Sequence, residues 1–200
     1  MKSKAIKAVI FDMGGVMLDW ETPLKRFCES IGIDRDLWEG AFAKHRPIAA
    51  LGKMSADEYF QTGLKELGLL DHWKQARELA PGKFIKIEET FSLIEELSGK
   101  YKLGILTNAF KGVNAEWDKL NPHRHHFQAI IDSSEVGLAK PDKRIYQLIL
   151  RRLEVSAPES LFVDDLIENI DAAQNLGMKT VHFTHPKKGV AKIKEILGLK

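Results

Sequence analysis

A chain of 200 residues is long enough to bury a sizeable core, as one large domain or as a core with a smaller insert. Its net charge of +2 argues against nucleic acid or an acidic membrane as a partner, and the single cysteine, Cys28, excludes an intrachain disulfide and favours a reducing compartment. No apolar stretch reaches the roughly 18 residues of a membrane span, and we interpret the basic start as leading into the first strand of a cytoplasmic protein.

Five short apolar runs predict buried strands, and several of them are continuous rather than alternating. Continuous runs are typical of a mostly parallel sheet covered by helices on both faces. Strand and helix alternate from about 84 to 183, which predicts right-handed units of a Rossmann-like α/β fold. The predicted strands are Ala8–Phe11, Leu103–Thr107, Ala129–Asp132, Leu161–Val163 and Thr180–Phe183.

Helical patterns precede the later strands, with apolar residues recurring on one face. Gly177 is a plausible stop for the last of the three patterns. The apolar faces are Ile87, Phe91, Ile94 and Leu97, then Ile145, Leu148, Ile149 and Leu153, then Ile167, Ile170 and Ala173.

The region after the first strand contains no convincing strand and is punctuated by glycines. We interpret it as a helical cap, residues 20–83, inserted into an α/β core formed by residues 1–19 and 84–200. The predicted helix starts are Thr22 followed by Pro23, Asp34, and a capping box from Ser55 to Glu58.

Polar side chains follow the predicted strands at their carboxyl ends, which is where open α/β sheets bind ligands. Carboxylates gathered there repel one another unless a cation lies among them, and a hard, oxygen-lined site indicates Mg²⁺. The polar residues are Asp12, Thr107, Asn108, Asp132, Ser133, Ser134, Asp164 and Asp165, with Lys140 in the loop after the third strand.

The first of these ends carries the most informative stretch. Asp12 follows a buried strand directly, and Gly14 and Gly15 come after it. A carboxylate followed by two glycines is a poor way to build a core, but it exposes a nucleophile beside free backbone N–H groups.

Four motifs in this order resemble the haloacid dehalogenase-like hydrolase superfamily, and together they span nearly the whole chain. The helical insert resembles the C1-type cap of that family. The motifs are Asp12-x-x-Gly15-Val16, Leu106-Thr107-Asn108, Lys140-Pro141-Asp142 with Ile145-Tyr146, and Phe162-Val163-Asp164-Asp165 with Asn169.

The resemblance implies that Asp12 is a nucleophile that forms an aspartyl-phosphate. It implies that Thr107, the backbone of Asn108 and Gly15 bind the phosphoryl group. Lys140 would neutralise both Asp12 and the phosphate, which lowers the like-charge repulsion that the attacking carboxylate meets.

The resemblance also implies the ligands of the metal ion. Mg²⁺ would be held by Asp12, Asp165 and the backbone carbonyl of Gly14, with Asp164 as a direct or water-mediated ligand. Asn169 is either a partner of this site or a surface amide.

Gly14 departs from the family pattern, because many phosphatases of the family carry an aspartate there as general acid and base. Three explanations remain open: another group or a water serves instead, the leaving group departs unaided, or the chain binds a ligand without hydrolysing it. Aryl, acyl and anomeric phosphates have leaving groups of the second kind.

Several further residues have a functional and a structural interpretation. His45 and Arg46 of the cap would bind a second polar group of the substrate, or they end a helix at the surface. We expect the tryptophans to pack in the core or between domains, and Trp20 to shield the site from water. His123, His125 and His126 lack the spacing of a zinc site, and we expect a surface turn.

These observations predict a Mg²⁺-dependent phosphohydrolase that acts on a small phosphorylated metabolite. The alternatives are a non-catalytic binding or regulatory protein on the same scaffold, and a hydrolytic 2-haloacid dehalogenase. The paired carboxylates Asp164 and Asp165 argue against the dehalogenase, since that branch of the family works without a metal. The oligomeric state and the physiological substrate stay open.

Overall fold

The structure is a computed structural model that describes residues 5–78, 85–112 and 123–199. Its centre is a five-stranded sheet in which every neighbouring pair is parallel, with the strand order β5-β4-β1-β6-β7. The strands of this sheet are β1 (Ala8–Phe11), β4 (Lys102–Thr107), β5 (Ala129–Asp132), β6 (Ser160–Asp164) and β7 (Lys179–His182). All five predicted strands are therefore confirmed, with ends shifted by at most one residue.

Helices cover both faces of this sheet, as predicted. The helices of the core are α6 (Glu88–Leu97), α7 (Ser133–Val136), α8 (Lys143–Leu153), α9 (Ile167–Asn175) and α10 (Pro186–Leu197). Successive residues of β1 point to opposite faces, so Val9 and Phe11 pack with α6 and α10 while Ala8 and Ile10 pack with α8 and α9. The sheet thus lies between two apolar layers.

The predicted apolar faces of the core helices are buried, except that Ile87 and Leu148 are half-buried and Ile167 is exposed. Ile167 begins α9 and is 52% exposed, so its expected place in the core is wrong. It lies in the first turn, directly after the loop that leaves the sheet, where the helix has not yet reached the apolar layer. Ile170 and Ala173, one and two turns later, are buried as expected.

Among the described residues, five helices precede α6 and pack around an apolar cluster of their own. They are α1 (Glu21–Ser30), α2 (Arg35–Phe42), α3 (Arg46–Ala50), α4 (Ala56–Glu66) and α5 (Trp73–Arg77). Trp38 and Phe42 stack at the centre of this cluster with ring centroids 3.9 Å apart. We call these five helices the cap.

The sequence signals for helix starts in the cap were confirmed twice and were wrong once. The Asp34 side chain accepts from Leu37 N at 2.8 Å, and the Ser55 capping box is complete. Thr22 is not an N-cap: α1 begins one residue before it, with Trp20 at the N-cap and no side-chain cap hydrogen bond.

A short antiparallel ribbon that was not predicted joins the cap to the sheet. Its strands are β2 (Leu18–Asp19) and β3 (Ile85–Lys86), which flank the cap along the chain. The predicted boundary at 19/20 follows β2 directly, the one at 83/84 lies outside the described residues, and the division into two domains stays a prediction. None of the helices described here combines the length and apolar character needed to cross a membrane.

Candidate active site

The site is built at the carboxyl edge of the sheet, around a lysine shared by two carboxylates. Lys140 Nζ lies 2.8 Å from Asp12 Oδ1 and 2.7 Å from Asp164 Oδ2. Asp12 follows β1 and Asp164 ends β6, its neighbour in the sheet, so parallel pairing alone brings the two carboxylates together. All three residues are buried, and Asp164 is 0% exposed.

The side chain of Asn108, a residue for which only a backbone role was predicted, holds the backbone of Lys140 in place. Asn108 Nδ2 donates to Lys140 O, and Lys140 N donates to Asn108 Oδ1, both at 2.9 Å. Asn108 follows β4, on the other side of β1 from Asp164. The lysine is thus fixed from both sides of the strand that leads to Asp12.

Asp164 is held by the chain that follows it. Its Oδ1 accepts from Leu166 N at 2.9 Å and from Asn169 Nδ2 at 3.0 Å, while its Oδ2 is the partner of Lys140. Asn169 is buried and is therefore a partner of the site, not a surface amide. The backbone O of Asn169 in turn accepts from the Tyr146 hydroxyl at 3.1 Å.

Asp12, Asp164 and Asp165 form a cluster in which one carboxylate oxygen of each residue lies within 4.8 Å of the other two. Gly15 leaves room for it: its φ is +71°, and a Cβ there would overlap the Asp165 carboxylate. Three carboxylates meet one ammonium group, and oxygen ligands of this kind suit a small divalent cation. The residues present fit Mg²⁺.

The pKa values of the cluster reflect this surplus of negative charge. The pKa of Asp12 is raised to about 7, chiefly by burial, which outweighs the opposing effect of Lys140 and is reinforced by the charge of Asp164. Burial and the Asp164 charge likewise raise the pKa of Asp165 to about 6. Burial alone would lower the pKa of Lys140, but the carboxylates of Asp12 and Asp164 outweigh it and raise that pKa.

The remaining polar residues of the sheet edge lie on the side of β4 and β5. Thr107 ends β4, is 4% exposed, and pairs in register with Asp132. Asp132 caps α7 by accepting from Ser134 N at 2.7 Å and is not part of the carboxylate cluster. Ser133 Oγ accepts from Ala109 N at 3.1 Å and so fixes the loop after β4.

Gly14 lies against Trp20, the N-cap residue of the first cap helix. A Cβ on Gly14 would lie 3.2 Å from Trp20 Cδ1 and 3.4 Å from Trp20 Nε1. The expectation that Trp20 lies close to the site is consistent with this contact, although the sequence did not indicate which residue it would meet. Trp117 lies outside the described residues.

The predicted substrate residues of the cap are engaged with cap carboxylates. His45 Nε2 lies 2.8 Å from Glu66 Oε1, and Arg46 forms an ion pair with Glu39 at 2.7 Å. A role in substrate binding stays a prediction for both residues.

The histidines at 123, 125 and 126 lie around a short 3₁₀ turn, as expected. His126 Nδ1 lies 2.8 Å from Ser98 Oγ.

Comparison with known proteins agrees with this geometry. Residues 6–177 match the family model described as "haloacid dehalogenase-like hydrolase". This chain belongs to the haloacid dehalogenase-like hydrolase family. A sesquiterpene phosphatase of Aspergillus oryzae is 30% identical to it over 206 residues, which cover 96% of this chain and 97% of that protein.

Solved structures of the family share its fold. A family enzyme from Bacteroides thetaiotaomicron, in complex with magnesium and inorganic phosphate, superposes with a TM-score of 0.68 at 24% identity, covering 88% of this chain and 93% of that one. The L-2-haloacid dehalogenase of Xanthobacter autotrophicus superposes with a TM-score of 0.69 at 19% identity, covering 88% and 76%. The hydrolase fold is thus common to phosphate-binding and dehalogenating relatives, and the site has to decide between them.

Proposed function

We propose that this hydrolase is a Mg²⁺-dependent phosphatase that acts on a small phosphorylated metabolite through a phosphorylated Asp12. The observation that carries the proposal is the pairing of Asp12 with Lys140 beside the carboxylates of Asp164 and Asp165. A carboxylate that attacks a phosphate dianion must overcome like-charge repulsion, and this site places positive charge beside the attacking oxygen.

In the proposed reaction, an oxygen of Asp12 forms a bond to phosphorus and the bond to the leaving oxygen breaks. A water molecule then attacks the phosphorylated Asp12, which releases phosphate and restores the carboxylate. Lys140 stays charged through both steps and favours the ionised form of Asp12. Thr107, Gly15 and the backbone of Asn108 bind the phosphoryl oxygens.

Bound Mg²⁺ would neutralise phosphate charge and hold the phosphoryl group in line with Asp12. Asp12, Asp165 and the carbonyl of Gly14 would hold it directly. Because both carboxylate oxygens of Asp164 have protein partners, we assign Asp164 to a water-mediated contact.

The substrate is expected to contact the cap as well as the core. His45 and Arg46 would bind a polar group of the substrate if their ion pairs with Glu66 and Glu39 open when the substrate enters. Because a relative of nearly equal length is named a sesquiterpene phosphatase, phosphorylated sesquiterpenes belong in any panel of substrates. We include a cytoplasmic location in this proposal.

The alternative function is that of a 2-haloacid dehalogenase, whose fold the chain shares. The acidic pair disfavours it. A halide-releasing site has no use for two more carboxylates beside its nucleophile, whereas a site that binds Mg²⁺ and phosphate does.

Release of phosphate from phenyl phosphate with and without Mg²⁺ tests the proposal. We expect release that requires Mg²⁺ and is abolished by a chelator. The same protein is then given 2-chloropropionate and assayed for chloride. Chloride release without phosphate release would establish the dehalogenase, and neither release, from these substrates or from a panel of phosphorylated metabolites, would establish a non-catalytic protein.

A further inference from the structure

The indole of Trp20 takes the space that a side chain at position 14 would use. The two closest ring atoms to a Cβ on Gly14 are Cδ1 and Nε1, at 3.2 and 3.4 Å. Gly14 is outside the left-handed region of φ, so its backbone does not require glycine. A side chain at position 14 would therefore meet the ring edge of Trp20, which would have to move by a few tenths of an ångström.

Arg35 fixes the orientation of the indole. Its guanidinium lies over the Trp20 ring, 5.5 Å from the ring centroid. Glu21 holds Arg35 Nε at 3.1 Å and Nη2 at 3.2 Å, and Glu39 accepts from Nη1. One face of the ring is therefore covered by a cation, while the edge that carries the N–H group is directed at Gly14.

That edge is suited to meet negative charge. The edge of an aromatic ring carries partial positive charge, and the indole Nε1–H group donates hydrogen bonds but does not accept them. Gly14 is two residues from Asp12, a span of at most about 7 Å of backbone. A phosphate ester whose phosphorus faces Asp12 would therefore extend its leaving group within reach of Trp20.

We propose that Trp20 Nε1–H donates a hydrogen bond to the leaving oxygen of the phosphate ester, and that the site still favours esters of weakly basic leaving groups because this donor cannot give up its proton. The inference rests on the proposed phosphatase function. As the bond from Asp12 to phosphorus forms, the ester P–O bond breaks and its electron pair stays on the leaving oxygen, which takes a proton from water. The indole keeps its own proton, so it stabilises an oxyanion but cannot neutralise one.

The substrate class follows from this chemistry. Aryl, acyl and anomeric oxygens depart with little help from a proton, whereas a primary alkoxide needs one. A hydrogen-bond donor that keeps its proton lowers the barrier most for the esters whose leaving oxygen carries the largest negative charge in the transition state. Removing it will therefore affect alkyl esters more than aryl esters.

A series of phosphate esters from para-nitrophenyl to primary alkyl, assayed for kcat/KM with Mg²⁺, tests the inference. Trp20→Phe keeps a ring for Arg35 and loses the N–H group, and Trp73→Phe is the matched control in the cap. We expect Trp20→Phe to lose about tenfold or more on alkyl esters, as for other donors to a developing oxyanion, and about twofold on the para-nitrophenyl ester. Trp73→Phe should follow the wild type.

Two further measurements distinguish loss of the Trp20 hydrogen bond from a folding defect. Gly14→Ala pushes the ring edge away without removing it, and should steepen the same dependence on the leaving group. In an Asp12→Asn background, phenyl phosphate should change the tryptophan fluorescence, and Trp20→Phe should remove that change.

The outcomes separate this inference from the function on which it rests. If Trp20→Phe and the wild type give parallel series, or if the fluorescence change persists in Trp20→Phe, the assigned contact is wrong and the phosphatase stands. If the wild type releases phosphate from no ester, the proposed function fails and the inference fails with it.

Discussion

Lys140 is the residue on which the geometry of the site depends, and its own position depends on Asn108. The ammonium group lies between Asp12 and Asp164. The two hydrogen bonds between the Asn108 side chain and the Lys140 backbone hold the backbone from which the lysine side chain extends. A lysine has a long, flexible side chain, so fixing its backbone is what makes the ion pairs reproducible.

We predict that Asn108→Ala lowers kcat strongly, by up to about 100-fold, since displacing a charged group by about 1 Å has effects of that size. Asn108→Asp keeps the acceptor for Lys140 N and should recover part of the loss. Steady-state kinetics of both variants, with thermal unfolding as the check on folding, measure this. Equal activity in both variants and the wild type would mean that Lys140 is held by its carboxylates alone.

The two adjacent carboxylates should respond differently to substitution. Asp165→Asn should raise the Mg²⁺ concentration needed for activity and leave the metal-free protein folded. Asp164→Ala should destabilise the protein by about 3–5 kcal/mol, because it leaves the buried Lys140 with one partner fewer. Mg²⁺ titrations and urea unfolding of both variants distinguish them, and identical behaviour would contradict the separate roles.

At the scale of the elements, parallel register explains how distant residues meet. β1 pairs with β4 on one side and β6 on the other, so the residues after these three strands share one edge. The turn after β1 then has to pass close to Asp165, and Gly15 makes that approach possible with its positive φ. Strand pairing brings the carboxylates together, and the glycine turn leaves space between them.

We predict that Gly15→Ala loses the response to Mg²⁺ as well as stability. The positive φ alone costs an L-residue about 1–2 kcal/mol, and the Cβ would in addition displace the Asp165 carboxylate. Gly68→Ala is the matched control: its φ is +70°, and nothing lies within 4 Å of the added Cβ. If the two variants respond to Mg²⁺ alike, the space at Gly15 is not part of the metal site.

How far the sequence predicts these elements depends on the physical origin of each. Continuous apolar runs predict the five strands, and the polar residues at their carboxyl ends predict the position of the site. The ribbon of β2 and β3 is too short for any periodicity to reveal. The hydrogen bonds between Asn108 and Lys140 join residues of two different motifs, and Trp20, which contacts Gly14, lies outside every motif. Only the folded chain shows these contacts.

At the scale of the whole molecule, the cap also contacts the core at two places outside the ribbon of β2 and β3. Phe110, in the loop after β4, contacts Tyr59 of the cap with ring centroids 4.5 Å apart. A Cβ on Gly52, between α3 and α4, would overlap the backbone carbonyl of Ser134. The cap therefore contacts the loop after β4 and the helix α7 after β5, which is consistent with the burial of Asp12.

The stability of the metal-free protein should fall as the pH rises from about 4 to about 7. The folded pKa values of Asp12 and Asp165, about 7 and about 6, lie above the ordinary value of 3.8. The folded state thus binds more protons than the unfolded state in this range, and each deprotonation costs stability. Thermal unfolding across this range measures the fall.

Mg²⁺ should reverse this trend, because it binds the ionised carboxylates of the folded state only. We expect the rise in Tm on adding Mg²⁺ to be larger at pH 8 than at pH 5, and Asp12→Asn to flatten the pH dependence without Mg²⁺. A shift in Tm that is the same at both values would contradict a metal site made of these carboxylates.

The central claim is that Asp12 is the nucleophile of a Mg²⁺-dependent phosphatase. The most direct test compares Mg²⁺-dependent phosphate release by Asp12→Asn and by Asp132→Asn, the same substitution in the buried carboxylate that ends β5, two strands from β1 in the sheet. Loss of a nucleophile costs several decades of kcat, so Asp12→Asn should keep less than about a few per cent of wild-type kcat while Asp132→Asn stays near the wild type. Substantial phosphate release by a folded Asp12→Asn protein would contradict the account.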